Sequence, residues 1–417
     1  MFKKNNILSW LIFIFITSVI YFLFIKQLIY PTIIPMVRGD QVNLFVDWTV
    51  ILQANICQDK GFDVFVENPC DYWGRKHVYG EILLYFPGIR SVPKFYFVII
   101  PILINLLFIF SIVKLFTYNN DIKYFSIFIF IINPPVILAI ERANIDIIIF
   151  LITILIAKNK NLFLSHMLVI FASIVKIYPI CLSIIFFFEK NIKKIIMNLG
   201  IVLLTIIVIM FFQWDSFTKL LNNQISSLST GYGTYEFSFF GGLNFFNNLN
   251  ISISNKNYNW IKYTYVTLVV LMPVIYIQYY FFKKFYAKFC LINIFYENNF
   301  ESKLYILSST IILLCYFLAS NFIYREIFFL GLIPLLLKGE KYSNNKSFFS
   351  FYYYILSFKF ILTTLLIYIS RNKILPNLEG LFVILKHSID FYIVSIVTLT
   401  YILYVKNFIK NKYEEIS

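Results

Sequence analysis

Apolar runs long enough to cross the roughly 30 Å hydrocarbon core of a bilayer recur from residue 7 to residue 408 of this 417-residue chain. Hydrophobic residues make up 60% of it and aromatics 20%, with a mean hydropathy of +0.77. Helices that are apolar on every side have no stable place in a soluble domain of this size. The sequence predicts an all-α, polytopic transmembrane bundle, one integral membrane domain over residues 1–417.

The formal charge of +15 does not point to nucleic acid. The lysines fall in short clusters between apolar runs, the pattern of cytoplasmic loops under the positive-inside rule. They form no basic face or stripe of the kind nucleic-acid binders carry.

Lys3 and Lys4 precede a first apolar run from 7 to about 25. It is longer than a signal-peptide core and is not followed by a small-residue cleavage site, so it reads as an uncleaved helix with its N-terminus inside. Residues 27–94 form a long, mixed-charge first outer loop. Further spans are expected at about 95–117, 123–140, 143–157, 193–212, 259–282, 304–320, 325–337, 347–370 and 388–408. The run 162–188 reads as two short helices meeting at Lys176-Ile177-Tyr178-Pro179, because the residue before a proline disfavours helix. Residues 213–258 form a second, polar outer segment. The total is about twelve spans with both termini inside, and almost every lysine cluster then lies on one side. Lys359 is the main exception, since it falls in the middle of a span.

The stretch from Glu141 to Pro179 concentrates polar groups inside this oily chain: Glu141, Arg142, Asn144, Asp146, Lys176 and Tyr178. A charge at membrane depth costs about 2.5–3.5 kcal/mol on insertion scales, so such groups pair, line a wet cavity or bind something charged. Two polar clusters at the ends of successive helices favour a site over a lone structural ion pair. With Asp40, Asp47 and Asp71 in the first loop and Tyr324, Arg325 and Glu326 opening a late helix, all these groups map to the outer side. Acids beside cations there suit chemistry on a lipid phosphate: Arg and Lys hold phosphate oxygens, and an Asp takes a proton from an attacking hydroxyl.

Arg142-Ala143-Asn144-Ile145-Asp146 followed by Lys176-Ile177-Tyr178-Pro179 resembles the Arg-Gly-Asn and Lys-Ile-Tyr-Pro pattern of GT-C membrane glycosyltransferases. It is most similar to glycosyltransferase family 87, the polyprenyl-phosphate-mannose-dependent mannosyltransferases, and more distantly to the mannosyltransferase of GPI-anchor assembly. Asn321-Phe322-Ile323-Tyr324-Arg325 resembles that family's late Asp-Tyr-Arg segment, and Asp47-Trp48 its acid-aromatic motif after the first helix. The chain departs from the pattern at Ala143, where the family has Gly, and at Ile323, where it has Asp. Alanine fits the first place if the backbone there is helical.

The resemblance implies a GT-C fold and a catalytic base in the first outer loop, which position assigns to Asp47, with Asp40 as its nearest rival. Arg142, Lys176, Tyr178 and Arg325 would hold the substrate phosphate, supported by Glu141, Asn144, Asp146, Tyr324 and Glu326; Arg142 and Lys176 could instead form ion pairs with Glu141 or Asp146. Asp146 would orient Arg142 at i,i+4 spacing, and Arg325 could instead pair with Glu326 at the interface. Cys57 and Cys70 share the outer loop, where oxidation is permitted, and are expected to form a disulfide. Cys181, Cys290 and Cys315 read as small apolar residues. His77, His166 and His387 are scattered without ligand spacing, so no zinc site is expected, and no cofactor is expected beside the lipid-linked sugar donor, with metal dependence left open by the sequence.

The expected function is transfer of a hexose, mannose by the resemblance, from a polyprenyl-phosphate sugar to a lipid-linked glycan or phospholipid acceptor. It would occur at the extracytoplasmic face of the plasma membrane, with membrane lipids and no nucleic acid as partners. A polysaccharide or lipid transporter or flippase is the alternative from another class, and an O-antigen-type polymerase is a third reading.

Overall fold

The computed structural model describes residues 2–25, 44–86, 93–117, 124–189, 191–222, 237, 298–318, 321–342, 346–371 and 379–414. Every regular element among them is helical. Five helices are long and apolar enough to cross a membrane: Ile7–Phe24, Phe95–Thr117, Ile192–Phe211, Phe300–Phe317 and Lys346–Ile369. Leu11, Phe22, Ile196 and Phe211 on two of them are each more than half exposed. Apolar surface of this extent is stable against lipid tails and not against water. The described residues fall into two compact units, one reaching to residue 222 and the other beginning at 237.

The first unit opens with α1 (Phe2–Ile25) and α2 (Val46–Gln58). Within residues 27–94, read from the sequence as an outer loop, the chain forms the helix α2. Its polar residues hide an apolar face in which Val46, Val50, Ile51, Ala54 and Cys57 are buried. After α2 the chain closes on itself. Cys57 and Cys70 are joined in a disulfide with their Cα atoms 5.7 Å apart. Ala54, Cys57, Val64, Phe65 and Leu84 form a small core against which Cys70 and Ile177 pack. Asn55 stitches α2 to the following turn, donating to the Leu83 carbonyl at 2.7 Å and accepting from the Phe86 amide at 3.0 Å.

α3 (Ile100–Thr117) continues from a short π turn at Phe95–Ile99. The helix expected over 123–140 is two helices, α4 (Tyr124–Ile131) and α5 (Pro134–Arg142). Pro134 and Pro135 lack the amide hydrogens that would continue α4. Asn133 starts the new helix by accepting from the Val136 amide at 3.1 Å, the usual way of satisfying an orphan N–H. α6 (Ile145–Lys158) and α7 (Leu162–Val175) follow. A 3-10 helix then runs from Tyr178 to Phe188, so the chain does break at Lys176-Ile177. α8 (Ile192–Phe212) and α9 (Trp214–Asn222) complete the unit. Asp40, Cys290, the span expected at 259–282 and all of 223–258 except Phe237 lie outside the described residues.

The second unit contains α10 (Phe300–Leu318), a 3-10 helix (Ile323–Leu332) running into α11 (Ile333–Tyr342), α12 (Lys346–Arg371) and α13 (Glu379–Glu414). The span expected at 325–337 therefore begins as a 3-10 helix, and that expected at 388–408 lies within a longer helix.

Candidate functional site

The first unit brings Asp47, Arg142, Asn144, Asp146, Lys176 and Tyr178 into two adjoining polar groups. Asp47 sits in the first turn of α2 rather than on a loop. Its Oδ1 accepts from Arg142 Nη1 at 3.0 Å and its Oδ2 from Asn144 Nδ2 at 2.6 Å. Asp146 is fully buried, and its Oδ1 accepts from Lys176 Nζ at 2.5 Å and from the Tyr178 hydroxyl at 2.7 Å. Asn144 joins the two groups, because its Oδ1 also accepts from the Asp146 amide at 2.9 Å and caps α6.

Arg142 and Asp146 do not share one helix, as the expected i,i+4 arrangement would have them do. That arrangement requires continuous helix, and α5 ends at Ala143, whose φ of 45° and ψ of 50° are left-handed. The condition under which alanine fits in place of glycine here is therefore not met. Left-handed backbone costs a non-glycine residue about 1–2 kcal/mol, and it is the usual place for glycine at a helix end. The turn sends Arg142 toward α2 and starts α6 in a new direction, which aims Asp146 at Lys176 instead. Phe45 at φ 66° is the other described non-glycine residue with positive φ. Its amide donates to the Glu141 carbonyl at 2.7 Å. Both left-handed corners thus flank the Asp47–Arg142 contact. Strained backbone persists where surrounding structure over-determines it, which is common at working sites.

Lys176 and Tyr178 are placed by the loop after α2. The Gly80 amide donates to the Val175 carbonyl at 3.0 Å, and a Cβ on Gly80 would lie 1.7 Å from the Ile174 carbonyl oxygen. Only glycine lets the chain come so close to the end of α7. The Lys176 ammonium lies 5.4 Å from the centroid of the Tyr79 ring and 5.6 Å from that of Tyr178.

Two residues of this site escaped sequence reasoning about roles. Arg75 Nη1 lies 3.8 Å from Asp47 Oδ1, and Arg75 is itself paired with Asp71 at 2.8 Å. Asp71 was grouped with the outer acids, but nothing distinguished Arg75 from its neighbours except its i,i+4 spacing from Asp71. Nearby, His77 is buried against Phe65 and Tyr79, and burial pushes its imidazole down to about 4. Lys219 of α9 bonds Asp215 and Asp63, which raises its ammonium to about 12, and its hydrogen bond holds the Asp63 carboxyl below the usual range.

Tyr324, Arg325 and Glu326 belong to the second unit. Glu326 does not pair with Arg325 at a surface. It is fully buried, with Lys359 Nζ 2.5 Å from Oε2 and Lys386 Nζ 3.6 Å from Oε1. Asp390 closes the ring, 2.9 Å from Lys359 and 2.8 Å from Lys386. Successive positions along a 3-10 helix diverge, so Glu326 turns inward while Arg325 reaches toward Cys315 Sγ at 3.8 Å. Lys359, out of place mid-span in the sequence, here faces two carboxylates. Among the described residues no group of His, Cys, Asp and Glu could hold a metal ion.

The arrangement in the first unit can hold an anion at Arg142 or Lys176 by exchange with a carboxylate, and can accept a proton at Asp47. No known protein family, characterised protein or solved structure matches the chain.

Proposed function

We propose that the protein is a GT-C type membrane hexosyltransferase that moves a hexose, mannose by the resemblance, from a polyprenyl-phosphate sugar to a lipid-linked glycan or phospholipid hydroxyl. The observation that carries this reading is the contact between Asp47 and Arg142, 95 residues apart in the chain, with Asn144 bridging them to the Asp146–Lys176–Tyr178 group. A base and two phosphate-binding cations are what the reaction needs close together. The disulfide between Cys57 and Cys70 lies in the segment carrying Asp47, which supports a site on the oxidising, extracytoplasmic side.

In this reading the donor phosphate draws Arg142 away from Asp47, and Lys176 adds a second cation. The acceptor hydroxyl then gives its proton to the Asp47 carboxylate. Its oxygen attacks the anomeric carbon while the bond to the phosphate oxygen breaks, and the electron pair leaves with the polyprenyl phosphate. Binding the donor and exposing the base are one event.

The test is transfer of labelled hexose by purified protein, beside lipid glycan profiles of a deletion strain complemented with variants. Asp47→Asn should lower turnover by roughly 10²–10⁴-fold with donor binding retained. Arg142→Ala should weaken donor binding as well, because its charge faces phosphate in ground and transition states alike. Full activity in Asp47→Asn removes Asp47 from the mechanism and moves the role to Asp40. The carrier reading has one observation of its own, the buried Glu326–Lys359–Lys386–Asp390 ring, since buried membrane charges often mark ion paths. Flux of a lipid-linked glycan across proteoliposomes without hexose transfer would favour it.

A further inference from the structure

Asp47 faces two guanidinium groups, with Arg142 Nη1 at 3.0 Å and Arg75 Nη1 at 3.8 Å. Arg142 is the last residue of α5 and reaches Asp47 through Nη1. Arg75 is gripped on several sides. Its Nε and Nη2 donate to the two oxygens of Asp71 at 3.0 and 2.8 Å, and Nη2 also donates to the Val46 carbonyl at 3.2 Å. Asp71 is buried and takes two further bonds, from the amides of Trp73 at 3.1 Å and Arg75 at 3.0 Å. The Arg75 carbonyl accepts from Asn68 Nδ2 at 3.0 Å, and the Trp73 ring lies 4.5 Å beneath the guanidinium carbon. A two-pronged arginine–carboxylate pair fixes direction as well as charge.

From this anchoring we propose that Arg75 is the positioning residue of Asp47. Anchored by Asp71 and the Val46 carbonyl, it stands 3.8 Å from Asp47 Oδ1 and, together with the Asn144 amide 2.6 Å from Oδ2, holds the carboxylate when Arg142 leaves for a phosphate. The Val46 contact strengthens the argument, because the same guanidinium grips the backbone immediately before the residue it orients. Arg75 itself keeps its partners throughout and touches neither donor nor acceptor. The catalytic part of this inference rests on the transferase reading; the mechanical part does not.

Two measurements on the full-length protein separate them. The first needs no activity: melting temperatures of Arg75→Gln, Asp47→Asn and the double variant, made in the wild-type and in the Arg142→Ala background. The two substitutions should be non-additive in both backgrounds. Additive shifts in the Arg142→Ala background overturn the proposal. If Arg75→Gln does not fold, Arg75→Lys replaces it, retaining charge while losing the two-pronged grip.

The second is kinetic, with a polyprenyl-phosphate hexose as donor. Arg75→Gln should lower kcat by about 10²-fold, as small misplacements do, with donor KM within about twofold of wild type. Arg75→Lys should recover part of kcat. A rise in donor KM matching that of Arg142→Ala would make Arg75 a phosphate ligand and overturn the positioning role. Absence of any transfer by the wild-type protein would sink the transferase reading, while the melting cycle would still decide whether Arg75 holds Asp47.

Discussion

Asn144 donates to Asp47 across 97 residues of chain while its own carbonyl oxygen caps the helix that begins one residue later. One amide side chain therefore sets the distance between the two polar groups of the site. Asn144→Ser keeps a capping oxygen but is too short to reach Asp47. Asn144→Ala loses both functions, the cap being worth about 1 kcal/mol and the bond to a charged group about 1.5–3. Denaturation should therefore show Asn144→Ala less stable than Asn144→Ser, and under the proposed function hexose transfer should fall in both. Equal stability of the two would mean that the cap contributes nothing.

Gly80 is expected to be the least replaceable glycine of the first unit. Gly80→Ala drives a Cβ into the Ile174 carbonyl and must lift the loop from the end of α7. Overpacking of this kind costs about 1–3 kcal/mol, and the shift reaches Lys176 two residues on. Gly200, in α8 with nothing within 4 Å of its virtual Cβ, is the control. Gly200→Ala should be neutral or stabilising, since alanine favours helix over glycine by about 1 kcal/mol. The pair is checked by thermal melting.

His77 makes the first unit acid-sensitive. Its folded value near 4 lies below the ordinary 6.5 because burial disfavours the charged ring. The unfolded chain therefore binds the proton first, and stability falls as pH drops from about 6.5 to 4, then levels off for this group. The span corresponds to about 3 kcal/mol. Melting temperatures of wild type and His77→Asn between pH 7 and pH 4 should diverge in slope over that window. Parallel curves would exclude a buried neutral His77.

In the second unit each cation of the buried ring faces both carboxylates. Lys359→Met leaves two buried acids sharing Lys386, and breaking a buried pair on one side costs about 3–5 kcal/mol. Adding Glu326→Gln restores the charge balance and should recover much of that loss. If the double variant is the less stable by the full sum, the ring is not behaving as a coupled unit.

Where the chain is apolar without interruption, its helices were legible. Residues 95–117 needed no knowledge of partners, because such a run satisfies its own backbone and sheds its side chains into lipid. Pro179 announced the break beside Lys176, and Pro134-Pro135 carry the same message within 123–140. α2 was masked by Asp47, Gln53, Asn55 and Gln58, although Val46, Val50, Ala54 and Cys57 recur at helical spacing. The Lys176–Asp146 pair stands among the alternatives the sequence offers, but the Arg142–Asp47 pair was not legible. It depends on Ala143 adopting a left-handed turn that local propensity disfavours, and on contacts spanning about a hundred residues. Lys386 and Asp390 lie at i,i+4 spacing, yet their shared partners, Glu326 and Lys359, come from two other elements.

The hydrogen bond from Phe45 to Glu141 joins the start of α2 to the end of α5 at backbone level, between two left-handed corners. Asp47 and Arg142 therefore lie two residues and one residue from the ends of a single main-chain hydrogen bond. Substitutions at Val136 or Ile140, both buried on α5, are expected to act on Asp47 through that bond, altering the rate while the Asp47–Arg142 contact persists.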